Sequence, residues 1–528
     1  MAIIGAAGST SHLTLDMIRL NKSWLDRSPA GQNRSWPTPE ALHLPEKILQ
    51  FGTGVLLRGL CDYFVDLANE KSQFNGRIVV VKSTSQGSTD PFRDQDGLYT
   101  LCVRGIRDGK VIKENRICAA ISRVLSAENE WSAILEAAIQ PNLEIIISNT
   151  TEVGLTLVRE GIHLSPPSSF PAKLTAILYQ RWRQNMPGLT IIPTELVSDN
   201  GMVLKRLVQD ISRYNRLEQE FFHWIEYECI FCNSLVDRIV PGHPLGADYQ
   251  ALQAELGYED SLAIMAEDYR LWAIEGDDRV RQKLTFAQSD PGVIITPDIT
   301  KYRELKLRLL NGTHTFACGI ACLSGITTVR EALEHHDLSS FISRLMLQDI
   351  VRAIPVTIPP EEITHFAHRV LDRFRNSFVH HLWINITLQY ASKMRLRNLP
   401  LIRTHFDRHG TIPDTFALGL AAFLRFMRID KIEEDRYFGQ FNGNFYPIRD
   451  DQAAHFYELY QQSTSPQELI HRFLDSRVLW GEPLRLPGLA EKIRSYFTQI
   501  NGQGMLKTLQ DDIIASGITH HHHETKGS

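Results

Sequence analysis

The first strong pattern along the chain is a strand-like run, Lys47 to Phe51, that ends in Gly52-Thr53-Gly54. Leucine and aromatic residues then recur at helical spacing from Leu56 to Leu67, and a β-branched run follows from Ile78 to Val81. A continuous apolar run of this kind is typical of a parallel strand buried on both faces. The pattern therefore predicts a strand, a glycine turn, a helix and a second strand, which together form a βαβ unit.

The same alternation resumes after an interruption. Two apolar runs, Leu98 to Val103 and Val111 to Ile121, flank Arg107-Asp108-Gly109, which indicates an inserted hairpin. Beyond it the pattern predicts helix, strand, helix and strand, at Trp131 to Gln140, Leu143 to Ile147, Ala172 to Gln184 and Leu189 to Thr194. Elements of this length in this order predict an α/β fold with a doubly wound parallel sheet.

From about Thr300 the pattern changes to long amphipathic segments with few β-branched runs, which predicts a mostly α-helical C-terminal domain. These segments are Lys301 to Leu323, Ser339 to Ala353, Pro360 to Phe374 and Phe416 to Met427. The predicted domains are 45–299 for the sheet and 300–515 for the helices. Residues 516–528 form a tail, in which His520 to His523 look like part of an expression tag.

Composition narrows the class of protein. The chain has 528 residues, a formal net charge of -5, 22% charged and 43% hydrophobic residues, which is the balance of a globular protein in solution. Disorder and nucleic-acid binding by bulk charge are not expected on this basis. No run reaches the 18 or so apolar residues that span a membrane, and the N-terminus lacks a signal-peptide pattern. Seven thinly spread cysteines indicate reduced thiols and a cytoplasmic protein.

The segment Gly52-Thr53-Gly54 offers two glycines of a dinucleotide fingerprint between a strand and a helix. One glycine permits the tight turn, and the other lets the backbone approach a pyrophosphate. Leu57 occupies the third glycine position, so a simple turn stays open as an alternative. The second strand runs into Lys82 without an acidic residue for the ribose hydroxyls. Lys82 could accept a 2′-phosphate, or it could be a solvated lysine.

A second group of candidates lies in the segment Lys301 to Leu323. On a regular α-helix Lys306, His314 and Asn311 would share one side of a largely apolar surface. A dehydrogenase needs a group that exchanges the alcohol proton and donors that stabilise the oxygen during hydride transfer. A lysine can do the first, and an amide with an imidazole the second. The alternative is a surface lysine, a capping asparagine and a core histidine.

A metal site must also be considered. Cys229 and Cys232 form a Cys-x-x-Cys pair, and His314, Cys318 and Cys322 recur every four residues. A structural zinc site needs a second close pair, however, and small cysteines on an apolar helix usually fill the core. The expectation is therefore that no metal is bound.

Six motifs occur in an order that resembles the polyol-specific long-chain dehydrogenases, the mannitol dehydrogenase family. They are Gln50-Phe51-Gly52-Thr53-Gly54 with Arg58, Gln95-Asp96-Gly97-Leu98-Tyr99-Thr100, Ser148-Asn149-Thr150-Thr151-Glu152, Val236-Asp237-Arg238-Ile239-Val240, Lys306-x-x-x-x-Asn311-Gly312-x-His314, and Arg373-Phe374-x-Asn376 with Lys393. The resemblance implies a Rossmann-type N-terminal domain, a mostly helical C-terminal domain, a metal-independent mechanism, NAD as cofactor and an active site between the domains.

The resemblance also implies roles for single residues. Lys306 corresponds to the acid/base, Asn311 to the asparagine that holds the reacting oxygen, and His314 to the histidine that positions the substrate. Asn200, in Ser198-Asp199-Asn200-Gly201, corresponds to a second asparagine beside that oxygen. The cofactor would be bound by the glycine motif together with further residues of the N-terminal domain. The residues expected to bind it are Gly52, Thr53, Gly54, Arg58, Asn149 and Thr150.

Substrate choice depends on a departure from the polyol-oxidising members. These place an arginine nine residues after the asparagine of Arg-Phe-x-Asn and a lysine eight residues further on. Asn385 occupies the arginine position, whereas Lys393 keeps the lysine. Mannitol is therefore a poor candidate substrate, and the likeness extends to the members that reduce tagaturonate to altronate.

The expected activity is the reversible, NADH-dependent reduction of that keto-hexuronate, a small sugar acid. Fructuronate (mannonate) oxidoreduction, a relaxed polyol dehydrogenase and a non-catalytic dinucleotide sensor are the alternatives. Neither a membrane nor a nucleic acid is expected as a partner, and the residues leave the oligomeric state open.

Overall fold

The structure is a computed structural model that describes residues 18–27, 36–84, 86–150, 154–378 and 380–516. The chain separates into two compact units. The first contains the residues before Gly105 together with Lys113–Ala266 and Arg270–Pro297, and the second contains Gly105–Ile112, Glu267–Tyr269 and the residues from Asp298 onward. The predicted tag at 520–523 lies outside the described residues. The boundaries 45–299, 300–515 and 516–528 stay predictions.

A six-stranded parallel sheet with the order β5-β2-β1-β6-β7-β8 organises the first unit. The smaller sheets have the orders β10-β3-β4, β12-β11-β9 and, in the second unit, β13-β14-β15. In chain order the strands are β1 (Glu46–Phe51), β2 (Arg77–Lys82), β3 (Tyr99–Arg107), β4 (Lys110–Cys118), β5 (Ile121–Ser126), β6 (Ile145–Ser148), β7 (Thr190–Pro193), β8 (Ile230–Phe231), β9 (Ser234–Asp237), β10 (Ile264–Glu267), β11 (Leu271–Glu275), β12 (Val293–Thr296), β13 (Lys431–Glu433), β14 (Arg436–Phe441) and β15 (Asn444–Ile448).

The strand order places a topological switch between β1 and β6. The chain moves outward from β1 to β2 and β5 on one side, and from β6 to β7 and β8 on the other. Phe51 pairs with Val81 on β2 and with Ser148 on β6, so the carboxyl ends of these three strands are aligned. Ligands of doubly wound sheets bind in the crevice at such a switch point. The predicted doubly wound, Rossmann-type fold class is confirmed.

Two local predictions in this unit are wrong. The helix expected from Leu56 to Leu67 is two helices, because Leu60, with φ -132° and ψ -72°, interrupts the helical backbone. The run expected from Val111 to Ile121 ends at Cys118, and a separate strand, β5, begins at Ile121 and joins the main sheet beside β2. The apolar pattern is continuous across both breaks, so it does not mark them.

The helices of the first unit enclose a core in which the β-branched residues of the sheet are buried, as their pattern predicts. Ile145, Ile146 and Ile147 of β6 are fully buried, as expected for a strand covered on both faces. The helical segments, including two 3-10 turns, are Lys22–Arg27, Pro39–His43, Val55–Gly59, Cys61–Glu70, Asp90–Asp94, Trp131–Ala138, Phe170–Arg183, Asn200–Tyr214, Gln219–Tyr227, Gly246–Leu256, Asp278–Lys283 and Thr285–Gln288.

The second unit is mostly helical, which confirms the predicted helical C-terminal domain. Its helical segments are Thr300–Leu305, Lys306–Gly312, Thr313–Leu323, Val329–Glu334, His336–Arg344, Leu345–Ile350, Val351–Ala353, Pro360–Phe374, Trp383–Ile386, Tyr390–Lys393, Met394–Asn398, Leu399–His409, Asp414–Phe426, Ala453–Gln461, Pro466–Asp475, Arg477–Trp480, Leu489–Gln503 and Met505–Ala515. The small sheet β13-β14-β15 has strands that the apolar pattern does not predict, because most of their residues are exposed or half-buried.

Three of these segments, Lys306–Gly312, Leu345–Ile350 and Met394–Asn398, are π-helical. The regular α-helix expected from Lys301 to Leu323 is therefore wrong in its middle. In a π-helix the hydrogen bonds join residues five apart instead of four, so one turn holds an extra residue. Such turns occur often at functional sites.

Across the parts of the chain that the structure describes, no helix has the length and apolarity needed to cross a membrane.

Candidate active site

A cavity of about 580 Å³ opens at the carboxyl ends of β1, β2 and β6, where the strand order reverses. Its volume lies in the range of ordinary small-molecule sites. The polar and glycine residues of the predicted cofactor motif line it, together with the end of β2. These lining residues are Gly52, Thr53, Gly54, Ser83, Asn149 and Thr150. Thr151 and Glu152, which complete one of the family motifs, lie outside the described residues.

The two glycines of the motif serve different purposes. Gly52 has a φ of +130°, and a Cβ atom there would lie 3.0 Å from Cδ1 of Leu57 and 3.1 Å from the carbonyl oxygen of Asn149. Any side chain at Gly52 is therefore strained and crowded. Gly54 has an ordinary φ of -64°, and a Cβ atom there would meet no protein atom within 4 Å. The fold would therefore accept a side chain at position 54. A glycine there keeps the approach to the cavity open.

Asn149 and Thr150 are held by residues at the end of β7. The Asn149 amide donates to Oγ1 of Thr194 at 2.9 Å, and the Thr150 backbone N–H donates to Oε1 of Glu195 at 2.8 Å. The Glu195 carboxylate also accepts from the Ser148 hydroxyl at 3.2 Å. Burial raises the pKa of Glu195, although these hydrogen bonds oppose the shift. Sequence reasoning missed Glu195; its place after the strand that neighbours β6 was the available signal.

The end of β2 contradicts one of the two alternatives left open for Lys82, the solvated lysine. Lys82 is buried, and its Nζ donates to the carbonyl oxygen of Thr84 at 2.6 Å, so it is not a solvated lysine. Its ammonium instead stabilises the turn that follows the strand. Ser83 lines the cavity, and its buried hydroxyl has no hydrogen-bond partner in the described part of the chain. A ribose hydroxyl of a bound dinucleotide is a suitable partner for that group.

Arg58, which is expected to bind the cofactor, does not line the cavity in this structure. Its Nη1 donates to the carbonyl oxygen of Leu262 at 2.6 Å, and its guanidinium lies 5.4 Å from the ring centroids of both Phe92 and Tyr99. Arg58 is buried and is not among the residues that line the cavity. Because the buried face of helix Val55–Gly59 carries this side chain, Arg58 stabilises packing within the first unit.

Asn200, which is expected to stabilise the reacting oxygen, forms all its observed hydrogen bonds within the first unit. The amide nitrogen of this fully buried side chain donates to the carbonyl oxygens of Pro193, Glu195 and Ser234, at 3.0 to 3.1 Å. Its Oδ1 accepts from the backbone N–H groups of Gly201 and Ser234, both at 2.9 Å. An amide has two N–H donors, and both are occupied. Asn200 therefore joins β7, helix Asn200–Tyr214 and β9, and has no donor left for a substrate.

In the second unit, Lys306 and Asn311 lie at the two ends of the π-helical turn Lys306–Gly312. They are five residues apart, so the turn places them one above the other, whereas a regular α-helix would separate them by about 140°. Both side chains are half-buried. The turn is held by Arg308, whose Nη1 donates to the carbonyl oxygens of Leu396 and Arg397 at 2.8 and 2.6 Å.

His314 follows in the next turn, inside an aromatic surround. Its ring stacks on Phe374 and meets His381 and Trp383 edge-on, with centroids 5.0 and 5.7 Å away. Burial lowers the pKa of His314 well below its ordinary value, and nearby positive charges lower it further. The imidazole is therefore neutral and can donate one hydrogen bond and accept another. Its Nε2 is buried without a partner in the described residues.

The Arg-Phe-x-Asn motif organises this surround. The Arg373 guanidinium donates to both oxygens of Glu267, at 2.8 and 3.0 Å, and lies 4.1 Å from the ring centroid of Tyr269. Oδ1 of Asn376 accepts from the Phe378 backbone N–H at 3.0 Å. This buried, bidentate ion pair fixes the helix end that carries Phe374. The motif therefore holds Phe374 in place against the ring of His314.

The two residues expected to bind the substrate, Lys393 and Asn385, lie in different surroundings. Lys393 is half-buried, and its Nζ donates to the carbonyl oxygen of Ile386 at 3.0 Å. Burial lowers the pKa of Lys393, and the neighbouring Arg397 lowers it further. Asn385, on the short helix Trp383–Ile386, is exposed. Sequence reasoning missed Arg397, although its position four residues after Lys393 was visible.

Metal binding is not supported by the arrangement of the cysteines. Cys229, Cys232, Cys318 and Cys322 are free thiols, and burial raises the pKa of each. A thiol must lose its proton to bind a metal, and burial opposes that loss. Within the described residues no group of three or more histidine, cysteine or acidic side chains is placed to hold a metal ion.

Curated relatives match almost the whole chain. An altronate oxidoreductase of Halalkalibacterium halodurans is 37% identical over 498 residues, which covers 91% of this chain and 96% of the relative. An altronate oxidoreductase of Bacillus subtilis is 35% identical over 482 residues, covering 90% of this chain and 96% of that protein.

Solved structures share the fold. The Pseudomonas fluorescens mannitol 2-dehydrogenase, in a ternary complex with NAD and D-mannitol, has a TM-score of 0.67 at 23% identity and covers 94% of this chain and 100% of its own. A substrate-free D-sorbitol dehydrogenase has a TM-score of 0.76 at 20% identity, covering 93% and 100% of the two chains. Family models for the mannitol dehydrogenase Rossmann domain and the mannitol dehydrogenase C-terminal domain match residues 46–288 and 298–501. With both domains of the family present in order, the chain belongs to the mannitol dehydrogenase family.

Proposed function

We propose that this chain is an NADH-dependent oxidoreductase that reversibly reduces tagaturonate to altronate. The observation that carries the proposal is the similarity to altronate oxidoreductases, at 35 to 37% identity across nine-tenths of the chain. The relatives are matched over nearly their full length, so the likeness includes both units. A sugar acid is the substrate under this proposal, and the enzyme acts in the cytoplasm.

The cavity at the switch point fits a dinucleotide. An open position above Gly54, the glycine conformation at Gly52 and the unpartnered hydroxyl of Ser83 are what a pyrophosphate and a ribose require. Asn149 and Thr150, fixed by the residues after β7, complete the wall. NADH, when bound, supplies the hydride that reduces the substrate carbonyl carbon. These residues bind and orient it, with the predicted contact of Arg58 removed from the set.

The acid/base role falls to Lys306. As an ammonium group it gives a proton to the carbonyl oxygen while the carbon is reduced, and in the reverse direction the neutral amine takes the proton from the alcohol. The π-helical turn aligns Asn311 with it, so an amide N–H and the ammonium address the same oxygen. Lys306 and Asn311 together transfer the proton and stabilise the reacting oxygen, and Asn200 is not needed for either step.

His314 positions the substrate as a neutral imidazole. Its stacking on Phe374 fixes the ring plane, and its low pKa keeps it uncharged at neutral pH. A neutral ring both donates and accepts, which suits a sugar hydroxyl beside the reacting carbon. Lys393 remains the proposed partner of the substrate carboxylate, and Asn385 remains the proposed reason that neutral polyols are poor substrates.

The test is the rate of NADH oxidation by the purified enzyme with tagaturonate, fructuronate, fructose and their phosphates. Tagaturonate should give the highest kcat/KM, and NADPH should replace NADH poorly. A higher kcat/KM with fructuronate would assign the enzyme to mannonate instead, since these substrates differ in the configuration of a hydroxyl. Binding of NADH without turnover of any substrate would favour the sensor, and inactivation by a chelator would contradict the metal-independent mechanism.

A further inference from the structure

Arg397 and Lys393 form a pair of like charges one helical turn apart. They are four residues apart, across the junction between helix Tyr390–Lys393 and the π-helical turn Met394–Asn398. Each is half-buried, and the Arg397 charge lowers the pKa of Lys393. Like charges at this spacing destabilise a helix, and partial burial increases the cost. The pair therefore needs an anion to offset it.

The described residues do not supply that anion. Neither Lys393 nor Arg397 has a carboxylate within 4.0 Å in the part of the chain that the structure describes. The carboxylate with an electrostatic effect on Lys393 is Asp450, but its oxygens accept from the backbone N–H groups of Ala391 and Gln452, each at 2.8 Å. Asp450 is thus occupied in holding the start of one helix and the turn before another.

Most of the Arg397 donors are free for a ligand. A guanidinium has five N–H donors, and among the described residues one acceptor is found, the Thr315 hydroxyl, at 3.3 Å from Nη1. The remaining nitrogens are not among the buried, unpartnered atoms, so they keep some accessible surface. This distinguishes Arg397 from Arg425, whose unpartnered Nε and Nη1 are closed off from solvent.

The position of Arg397 is fixed relative to the proposed catalytic helix. Arg308, which belongs to the π-helical turn that begins at Lys306, donates to the Arg397 carbonyl oxygen. Thr315, which meets the Arg397 guanidinium, lies next to His314 and donates its own hydroxyl to the Asn311 carbonyl oxygen at 2.8 Å. Arg397 and Lys393 are also among the charges that lower the pKa of His314. The two cations and the proposed catalytic residues therefore belong to one site.

We propose that Arg397 is a specificity-determining residue that binds the substrate carboxylate together with Lys393. The inference rests on the proposed function, which makes the substrate a hexuronate, and adds the residue that distinguishes it from an uncharged ketose. A planar guanidinium binds both oxygens of a carboxylate, whereas an ammonium supplies a point charge. Arg397 sets the orientation of the carboxylate, and Lys393 adds attraction.

The experiment compares Arg397→Met, Arg397→Lys and the wild type with tagaturonate and with its uncharged methyl ester. Arg397→Met should raise KM for the acid roughly 10- to 100-fold, the size expected for a lost charge-assisted hydrogen bond. KM for the ester and kcat for both should stay within about threefold of the wild type. Arg397→Lys should recover part of the loss. Arg395→Met, two residues earlier and exposed, is the matched control and should leave both substrates unchanged.

Equal losses of Arg397→Met on the acid and the ester, or no loss on either, would overturn the inference. A wild type that turns over neither would sink the proposed function separately. In that case calorimetric titration with tagaturonate, altronate and glucuronate decides the matter. Hexuronate binding that Arg397→Met weakens at least tenfold supports the site, whereas hexuronates that bind neither protein, or both equally, overturn it.

Discussion

The ring of His314 stacks face to face on Phe374, with centroids 4.3 Å apart and planes inclined by 10°. His314 belongs to the helix that directly follows the π-helical turn of Asn311, and Phe374 is the last residue of the helix in which the Arg-Phe-x-Asn motif begins. The stack joins two sequence motifs that lie about sixty residues apart. It gives Phe374 of the second motif a structural role, which is to hold the ring of His314. It also removes the histidine from water, which has a measurable consequence.

Stability should depend on pH through His314. Because the native pKa is depressed, the unfolded chain binds a proton below its ordinary value of about 6.5 while the native protein does not. The stabilising contribution is therefore complete above that pH and is lost as the pH falls through it. In His314→Phe the fall in Tm between pH 7.5 and 5.5 should be smaller than in the wild type, measured by calorimetry. Identical falls in the two proteins would contradict a depressed pKa for this residue.

Lys306→Ala should lower kcat by roughly 10² to 10⁴, the usual effect of removing a general acid. NADH affinity, measured by fluorescence titration, should change little because the cavity proposed to bind the cofactor lies in the other unit. Lys301→Ala is a matched control, because Lys301 lies five residues earlier and forms an ion pair with Glu362 of helix Pro360–Phe374. A Lys306→Ala enzyme that keeps more than about a tenth of wild-type turnover would remove this lysine from the mechanism.

Gly54→Val should weaken NADH binding strongly without lowering Tm. A Cβ atom at this position meets no protein atom within 4 Å and the backbone conformation is allowed, so the added side chain should fit the fold and occupy the space that the pyrophosphate needs. Gly161→Val is the control, because a Cβ atom at Gly161 likewise meets a protein atom only at 4.0 Å, and this residue does not line the cavity. Unchanged calorimetric affinity for NADH in Gly54→Val would refute the fingerprint assignment.

The main effect of Asn200→Ala should be a lower free energy of unfolding, not a lower turnover. The substitution leaves several buried backbone groups without partners, each costing about 1 to 3 kcal/mol. The free energy of unfolding in urea should fall by at least about 2 kcal/mol. A variant as stable as the wild type but with turnover reduced more than a hundredfold would restore Asn200 to a catalytic role.

Asn385→Arg should shift substrate preference toward neutral ketoses such as fructose. The position is exposed, so the longer side chain fits without loss of Tm. An arginine there adds donors for sugar hydroxyls, whereas the substrate carboxylate already has Lys393 and Arg397 as its proposed partners. The readout is the ratio of kcat/KM for fructose and tagaturonate, which should rise at least about tenfold. An unchanged ratio would show that Asn385 does not explain the poor fit of polyols.

The parts of the fold that depend on local pattern were predictable. The run from Ile78 to Val81 and the glycines after Phe51 each indicate their own structure, because burial on both faces demands β-branched residues and a tight turn demands glycine. The π-helical turn after Lys306 was not predictable, because a regular α-helix satisfies the same apolar pattern. Arg308 within this turn donates to carbonyl oxygens about ninety positions later in the chain, a contact that no local pattern indicates.

The same limit applies to Arg58 and Asn200. Arg58 and Asn200 both lie beside motifs that face the cavity or the end of a strand, and sequence proximity alone suggests a role in the chemistry. Their hydrogen bonds instead run to backbone carbonyls that come from distant segments, such as Leu262 and Ser234. The type and spacing of a buried polar residue predict that it will form hydrogen bonds. They do not predict which groups will be its partners.

The π-helical turn also sets a rule for transplanting this site. Lys306 and Asn311 share a face at a spacing of five, whereas Asn311 and His314 follow the ordinary helical spacing of three. A grafted copy on an uninterrupted α-helix would rotate everything after Leu310 by about 100° relative to the lysine. Engineers who move these groups to a new scaffold must therefore carry the bulge with them, or delete one residue between Lys306 and Asn311.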